Sequence, residues 1–382
     1  MVSDQYTYPV FKEVLSGFHA DITGITISTF QTRNTGEMVR DIQKITPQTK
    51  IIIGGPHPSA VGKDLEGYKE VKFVLGQGED SILDLVEPGH KPFTLDDIPL
   101  PDLSLVNLKA YIGCPPYGPK PSMFSMFSRG CPFHCTYCNK AIFGDKLSYR
   151  DPEACLDEIE YLNKDWGIKE LIIQDDTFNL NRKWCEYILM GIIKRGLNKK
   201  MVFRTPCRAN SNLVDTDLLK LMKEAGIWLI FYGVESGNQL MLDRMKKSLT
   251  LEEIKRAFTL TNKVGIKTEA SFIIGLPGET RGTFEDSLNF CSEIKPFWVG
   301  FSTLIPFPGT PVTQELKESG YLLNEDYGSY MPGEVMSRTD TLTKEDIEKC
   351  ADKAHKVSRS LEIKNLVFNP KVGYRIFKEL AR

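Results

Sequence analysis

Three cysteines at the spacing C-x3-C-x2-C constrain this chain more than any other feature of its sequence. Cys131, Cys135 and Cys138 follow an apolar run over residues 123–127 that is typical of a β-strand. Thiolates this close together are typical of one shared metal centre, but the spacing matches no zinc pattern, because structural zinc takes four ligands. Three cysteines instead fit a [4Fe–4S] cluster with one iron open to an outside ligand, whereas electron-transfer clusters use four.

Composition narrows the class of protein. A chain of 382 residues predicts two or three domains with a sizeable core. Its 48 Lys and Arg against 50 Asp and Glu give a net charge of −2, so no nucleic-acid partner is expected. No apolar run approaches the roughly 20 residues that span a bilayer, so no transmembrane segment is predicted. The first residues also lack the pattern of a secretory signal.

The six cysteines outside the motif show no second cluster spacing. Because no secretory signal is present, they are expected to be thiols rather than disulfides. Cys155, Cys185 and Cys291 fall in helical patterns and are interpreted as small buried hydrophobic residues. Cys114, in a Gly-Cys-Pro-Pro turn, and Cys207, near a strand end, are weaker functional candidates.

From residue 123 onward, strand and helix patterns alternate six times. Six βα units with right-handed crossovers predict an α/β fold, a partial (β/α)6 barrel with functional groups at the C-terminal ends of its strands. The predicted strands are 123–127, 170–174, 201–205, 228–233, 268–274 and 298–304. The predicted helices are 152–163, 182–195, 216–225, one from 239, 251–264 and 283–293.

A shorter α/β pattern precedes the barrel. Predicted strands 22–28, 51–53 and 72–75, with helices over 37–45 and up to Val86, indicate an incomplete Rossmann-like parallel sheet covered on both faces. The predicted domains are residues 1–87, a Pro-rich linker over 88–122, the barrel over 123–311 and a helical extension over 312–382, which includes an amphipathic segment at 367–377. That extension is expected to cap the open side of the barrel.

The cysteine run closely resembles the signature of the radical S-adenosylmethionine (SAM) enzymes, whose fold is a partial barrel. The resemblance implies that Cys131, Cys135 and Cys138 hold a [4Fe–4S] cluster. Its open iron would bind the amino and carboxylate groups of SAM, and an electron from the cluster would cleave SAM to a 5′-deoxyadenosyl radical. Tyr137 stands where the family has an aromatic residue near the adenine.

Residues at successive strand ends match the family's SAM-binding motifs in chain order. The resemblance places the amino group of SAM at Asp175 and Asp176, although either aspartate alone is equally a helix-entry cap. A guanidinium can hold the carboxylate of SAM through two hydrogen bonds, so Arg208 is the candidate for that contact. The remaining contacts implied are Glu235 and Ser236 to the ribose and amino-acid parts, and Ile273, Gly275 and Glu279 in the region that supports the adenine.

Residues 20–100 resemble the later half of the cobalamin-binding domain of one radical SAM subfamily. Ser28 matches its serine turn, and Gly54 and Gly55 match the glycine pair that lets the nucleotide tail of cobalamin approach the backbone. The strand, helix and second strand that begin that domain have no counterpart in the first nineteen residues. A truncated start, a degenerate remnant and a half-domain that only packs on the barrel are all consistent with the sequence.

These resemblances imply a cobalamin-class radical SAM methyltransferase acting on an unactivated carbon of a small molecule. The implied cofactors are the [4Fe–4S] cluster, SAM and cobalamin, and the implied partner is an electron donor such as flavodoxin or ferredoxin in a reducing cytoplasm. Two alternatives stay open: a cobalamin-independent radical SAM enzyme for cyclisation, rearrangement or oxidation, and a non-enzymatic Fe–S protein. No catalytic side chain is indicated by the sequence.

Overall fold

The structure, a computed structural model, describes residues 8–62, 70–105, 118–331 and 333–368. Cys114 and most of the amphipathic segment expected at 367–377 lie outside these residues. In the described part of the chain, two parallel sheets are present, one of three strands and one of six, with a short antiparallel ribbon beside the larger sheet. None of the described helices is long and apolar enough to cross a membrane.

The front sheet is parallel, and its strands follow chain order. Its elements are α1 (Tyr8–Gly17), β1 (Ile22–Thr26), α2 (Thr32–Ile45), β2 (Lys50–Gly54), α3 (Pro56–Val61), β3 (Val71–Phe73) and α4 (Glu79–Val86). One face packs on α1 and α2 through buried residues that include Leu15, Ile42 and Ile53. The other face is covered only in part, since Gly24 and Thr26 of β1 are exposed whereas Ile52 of β2 is buried, so the predicted cover on both faces is incomplete at β1.

The larger sheet is the curled half-barrel that the sequence predicts. All neighbouring strands are parallel, in the order β11–β10–β9–β8–β7–β4. The strands are β4 (Ser122–Ser125), β7 (Glu170–Ile173), β8 (Val202–Cys207), β9 (Ile227–Glu235), β10 (Lys267–Ile274) and β11 (Trp298–Thr303). Buried residues of alternate strand positions, such as Tyr232 and Phe272, join the main hydrophobic core beneath the helices.

The helices of the barrel begin at side-chain caps, which explains why the sequence predicts their starts closely. Asp151, for example, accepts hydrogen bonds from the first free N–H groups of its helix, at Glu153 and Ala154. The helices are α5 (Pro152–Lys164), α6 (Arg182–Lys194), α7 (Thr216–Glu224), α8 (Gln239–Arg244), α9 (Leu251–Val264) and α10 (Arg281–Ile294). The three cysteines expected to be buried in helices are buried, in α5, α6 and α10.

One region differs from the prediction. Strand β4 ends at Ser125, and Ser128 and Arg129 form β5, which pairs antiparallel with β6 (Ser148–Tyr149). The C-terminal helices are α11 (Pro311–Glu318) and α12 (Lys344–Phe368). Helix α12 packs against β11 and α10, and the expectation that the extension caps the open side of the barrel stays a prediction. The amide of Asn365 donates to the Phe297 carbonyl at 2.6 Å and anchors this packing.

Candidate functional site at the cysteine loop

The loop that carries the three cysteines begins after β5 and is fixed at its start and in its middle. Gly130, just before Cys131, has φ +89°, and a side chain there would collide with the carbonyl of Lys146. In the middle of the loop, Thr136 donates its N–H to the Met245 carbonyl at 3.0 Å and accepts from the Val312 N–H at 3.0 Å. The backbone therefore holds the loop against the C-terminal end of the sheet.

The three thiols share one neighbourhood. Cys135 is buried, Cys131 is half-buried and Cys138 is exposed, and the Cys138 N–H donates to the Cys135 carbonyl at 3.2 Å. Although its surface is exposed, the pKa of Cys138 is raised to about 11, first by partial desolvation from the protein atoms around it and then by the other two thiols. A metal centre would reverse this effect, since it binds thiolates. The donor set thus fits a cluster that neutralises three sulfurs.

The arrangement is not that of a single-ion site. Within the residues that the structure describes, no three His, Cys, Asp or Glu side chains are grouped to hold one metal ion. A cubane cluster needs a wider spacing, because each cysteine binds a different iron. The ammonium of Lys140 lies beside the loop, where it donates to the Cys131 carbonyl at 2.7 Å.

The two aspartates that follow β7 have different surroundings. Asp175 is buried, and its carboxylate accepts from the N–H groups of Phe127 and Ser128 at 2.7 and 3.1 Å and from the Ser128 hydroxyl at 2.7 Å. Burial raises the pKa of Asp175 to about 6 in spite of these hydrogen bonds. Asp176 is exposed and lines a cavity together with Cys131 and Cys138. Asp175 therefore supports the loop, and Asp176 faces the space beside it.

Glu235, at the end of β9, belongs to a buried polar cluster. It has the left-handed φ of +67°, which is strained for a residue with a side chain and is common at functional sites. Its carboxylate accepts from the ammonium of Lys247 at 2.8 Å, and the same ammonium contacts the Tyr137 hydroxyl at 3.0 Å. Burial, more than the nearby Glu235 charge, raises the pKa of Tyr137.

Arg208, after β8, is held by protein groups next to the cysteines. Its guanidinium lies over the ring of Phe133, with 3.4 Å from Cζ to the ring centroid. It donates to the Lys247 carbonyl and to the Asn210 side chain, and its Nη1 is 4.0 Å from the Cys135 sulfur. These contacts place a buried cation against the cysteine loop.

The remaining strand-end candidates lie deeper in the protein. The Ser236 hydroxyl contacts the Ser287 hydroxyl of α10 at 3.3 Å, whereas Ile273 is half-buried on the inner face of β10. Glu279 is buried, accepts from the N–H of Gly275, and has a pKa that burial raises to about 7. Gly275 has φ +87°, and a Cβ there would approach Ile347 of α12 to 3.2 Å. Ser236, Gly275 and Glu279 thus make contacts within the protein.

The front-domain candidates line two cavities. One, of about 450 Å³, runs along the edge of the front sheet and includes Gly54 and Gly55. The other, of about 400 Å³, is lined by Ser28 on the front-domain side and by Cys131, Cys138 and Asp176 on the barrel side. The close packing of Gly55 has a local cause, because a Cβ at its φ of +104° would lie 2.8 Å from Thr26 Cγ2.

Three contributors to this region were missed by the sequence reasoning. Arg129 donates to Gln77 at 2.8 Å and pairs with Glu79 at 2.7 Å, which ties the end of β3 to the cysteine loop. Ser128 binds Asp175, and Lys247 binds Glu235. Arg129 and Ser128 directly precede the motif, so their position in the sequence could have marked them as candidates. No spacing in the sequence distinguishes Lys247.

Part of the chain matches a known protein family. Residues 125–291 match the family model of the radical SAM superfamily. An uncharacterized methyltransferase of Pyrococcus horikoshii is 26% identical over 386 residues, covering 93% of this chain and 82% of that protein. An anaerobic magnesium-protoporphyrin IX monomethyl ester cyclase of Cereibacter sphaeroides is 28% identical over 359 residues, covering 86% of this chain. The chain spans only 58% of the length of that cyclase.

A solved structure shares the fold. The radical SAM methyltransferase TsrM from Kitasatospora setae, with cobalamin and a [4Fe–4S] cluster bound, superposes with a TM-score of 0.66 at 19% identity, covering 81% of this chain and 69% of that one. The chain therefore carries a radical SAM domain over residues 125–291 and is an enzyme.

Proposed function

We propose that this enzyme is a cobalamin-class radical SAM methyltransferase that acts on an unactivated carbon of a small molecule. One observation carries the proposal: the cavity beside the cysteines is lined jointly by the front domain, at Ser28, and by the barrel, at Cys138 and Asp176. A cofactor in this cavity would touch both the cluster and the edge of the front sheet. Methyl transfer from cobalamin needs such a meeting point.

The cluster would be held by Cys131, Cys135 and Cys138. When bound, it supplies the electron that cleaves SAM to a 5′-deoxyadenosyl radical, and cobalamin supplies the methyl group. The chain itself positions these groups. Buried Arg208 and half-buried Lys140 add positive charge beside the thiolates, which favours the ionised ligands.

The residues proposed to contact SAM are assigned according to the hydrogen bonds that they already make within the protein. Asp176 is assigned the amino group of SAM, because Asp175 already accepts three hydrogen bonds from the protein. Tyr137 and Glu235, held by Lys247, are assigned to the adenosine end. Arg208 is assigned the carboxylate side, where its charge lies against the cysteine loop.

The front sheet fits the nucleotide tail of a corrinoid. Its exposed face lines the cavity of about 450 Å³, and a Cβ built at Gly24 would meet no atom within 4 Å. Gly54 is closer to its neighbour, with 3.2 Å from such a Cβ to the Val74 carbonyl. A larger side chain at Gly24 would therefore fill space in the cavity, whereas one at Gly54 would press against the Val74 carbonyl.

The substitution Gly24→Phe tests cobalamin binding directly. The new side chain would start in open space at its Cβ and extend into the cavity, so we expect loss of bound corrinoid with unchanged iron content after anaerobic reconstitution. Gly17→Phe is the matched control, since Gly17 has equal free space but does not line the cavity. Corrinoid absorbance that is the same in both variants would contradict cobalamin binding at this face.

Ring cyclisation is the second candidate, because the Cereibacter relative is a cyclase that aligns with 86% of this chain. The two candidates differ in the fate of the methyl group of SAM. Label from [methyl-¹⁴C]SAM that enters a product supports methyl transfer. Product formation without label supports cyclisation. We propose a flavodoxin- or ferredoxin-type electron donor, within a reducing cytoplasm, for either reaction.

A further inference from the structure

The lumen of the half-barrel contains a third cavity, separate from the two at the front domain. Its volume is about 480 Å³. The apolar part of its wall includes Phe124, Leu229 and Phe231. The charged side chains that line it are Asp175, Asp176, Arg204 and Glu269. Three acids against one cation make the lumen unfavourable for a ligand that brings a further negative charge.

The cation of the lumen, Arg204, needs hydrogen-bond acceptors rather than a counter-charge. It is 7% exposed, and its charge is balanced by Glu170, whose Oε1 is 3.4 Å from Arg204 Nε. That carboxylate oxygen already accepts from the Trp228 indole at 2.8 Å. Within the described residues, neither Nε nor Nη2 of Arg204 has a hydrogen-bond partner. Because unused buried donors cost free energy, a neutral acceptor on a ligand would be favourable here.

Glu269 has the opposite need. It is half-buried, and in the part of the chain that the structure describes its carboxylate forms no hydrogen bond or ion pair. Burial raises its pKa and the charge of Arg204 opposes this effect, so the two groups are near enough to influence each other. Asp175, in contrast, already accepts three hydrogen bonds from the protein. Glu269 is therefore an acceptor that is available to a donor on a ligand.

Arg204 and Glu269 stand on the two strands that flank β9. Arg204 of β8 is level with Leu229 of β9. Phe231, two residues further along β9, is level with Glu269 of β10. Since a strand rises about 3.3 Å per residue, Glu269 lies on the order of 7 Å nearer to the cluster end than Arg204 does. A ligand that lies along β9 thus has donors at its deeper side and an acceptor at its upper side.

These two needs, taken with the charge, select among ligand groups. An anion would supply an acceptor but add to the negative charge of the lumen, which is costly in a buried site. A cation would supply a donor to Glu269 but leave the donors of Arg204 unused. A neutral amide has a carbonyl oxygen that accepts and an N–H that donates, so it satisfies both residues and adds no charge.

We propose that the lumen binds the substrate of this enzyme through a neutral amide group, whose carbonyl accepts from Arg204 and whose N–H donates to Glu269. The proposal rests on the proposed function, because it takes the lumen as the substrate site. The apolar body of the substrate contacts Leu229 and Phe231, between the two polar partners. Its reacting carbon lies toward the cluster end, where Asp176 lines the same cavity.

Four flat probes of similar size separate these possibilities: benzamide, acetophenone, benzoate and benzamidine. Acetophenone keeps the carbonyl and lacks the N–H, whereas benzoate is an anion and benzamidine a cation at neutral pH. Binding to the reconstituted wild-type enzyme is measured by ligand-observed NMR under anaerobic conditions. We expect benzamide to bind at least tenfold more tightly than each of the others, as one lost hydrogen bond to a charged group implies. Equal binding of acetophenone, or tighter binding of benzoate or benzamidine, would overturn the amide assignment.

Variants at Glu269 locate the N–H partner and leave the pair of Arg204 with Glu170 intact. Glu269→Gln keeps an oxygen that can accept from the amide, so much of the preference for benzamide over acetophenone should remain. Glu269→Leu removes the acceptor at the same place, so the preference should disappear. A preference that survives undiminished in Glu269→Leu would contradict the proposal.

Arg204→Lys tests the carbonyl partner. It keeps a positive charge next to Glu170 but loses the planar fork, so benzamide and acetophenone should weaken together, by about tenfold. Arg150→Lys is the matched control, because Arg150 is a buried arginine paired with Glu158 at 2.5 Å and does not line the lumen. Unchanged binding in Arg204→Lys, or an equal loss in Arg150→Lys, would contradict the role of Arg204.

N-Methylbenzamide distinguishes two sources of the amide, since it models a peptide-type amide whereas benzamide models a primary carboxamide. Tighter binding of either one than of acetophenone supports the proposal, and the tighter of the two identifies the source. Deoxyadenosine formation by the wild-type enzyme is measured separately. Its absence contradicts the proposed function, whereas the probe preferences alone decide the amide site.

Discussion

The hydroxyl of Ser128 donates to the buried carboxylate of Asp175 at 2.7 Å, across 47 residues of sequence. The same carboxylate accepts from the N–H groups of Phe127 and Ser128. These bonds join the end of β7 to the residue three positions before Cys131. Asp175 therefore sets the point at which the cysteine loop leaves the barrel.

Replacing Asp175 by Asn should disrupt this junction. The amide puts a donor where the wild type has an acceptor, so at least one buried N–H or hydroxyl loses its partner. We expect a loss of about 2 kcal/mol of unfolding free energy, with lower iron content per chain after reconstitution. Denaturant titration and iron analysis measure the two effects.

Asp176→Asn makes the same substitution at the neighbouring residue, and we expect it to have a different effect. Asp176 is exposed at the cavity beside the cysteines, so iron content and stability should stay near those of the wild type. SAM binding should weaken about tenfold, because a charge-assisted hydrogen bond to its ammonium is lost. Anaerobic equilibrium dialysis measures the affinity. Two variants that behave alike would contradict the division of roles.

The contrast between these aspartates shows which features of the site could be predicted from the sequence and which could not. Each barrel strand was predicted to within a few residues, because buried strands appear as continuous apolar runs and capping residues such as Asp151 and Thr250 mark the helix starts. The pair Asp175-Asp176 was placed at a strand end by the same logic. Which of the two is buried depends on Ser128, a contact that no local pattern encodes.

Other features of the structure that the sequence did not predict have their own causes. Helix α3 begins at Pro56, where only a glycine turn was predicted, because proline at the first helical position favours a helix as readily as a turn. Lys247 and Arg204 become significant only when distant strands bring them to Glu235 and Glu170. Lys247 stands in a basic run that is typical of a surface, whereas Arg204 is a single cation in a predicted apolar strand.

Removal of the Lys247 charge should lower the free energy of unfolding. Lys247 and Glu235 are both more than nine-tenths buried, so Lys247→Met would leave a buried carboxylate uncompensated. We expect destabilisation of about 3–5 kcal/mol, measured by denaturant titration. Tyr137→Phe removes only a hydroxyl from the same ammonium and should cost about 1 kcal/mol. A Lys247→Met cost no larger than that of Tyr137→Phe would contradict the buried pair.

Glu279 should make stability depend on pH. Burial raises its pKa from 4.5 to about 7, so the folded protein holds a proton that the unfolded chain releases between those values. Its contribution is fully present below pH 4.5 and is lost as the pH rises to 7. The loss is on the order of 3 kcal/mol.

Glu279→Gln removes this titration and keeps an oxygen that can accept from the Gly275 N–H. The unfolding free energy of the variant should fall less than that of the wild type between pH 5 and 8. Denaturant titrations across this range measure the difference. Parallel profiles for the two proteins would show that Glu279 titrates normally in the folded state.

The central claim is that three cysteines hold a cluster at which SAM is cleaved. It is tested most directly by the 5′-deoxyadenosine that anaerobically reconstituted, dithionite-reduced protein forms from SAM. We predict formation by the wild type and by Cys155→Ala, which replaces a buried thiol of α5, and none by Cys135→Ala. Formation undiminished in Cys135→Ala, or a reconstituted cluster that binds no SAM, would contradict the account.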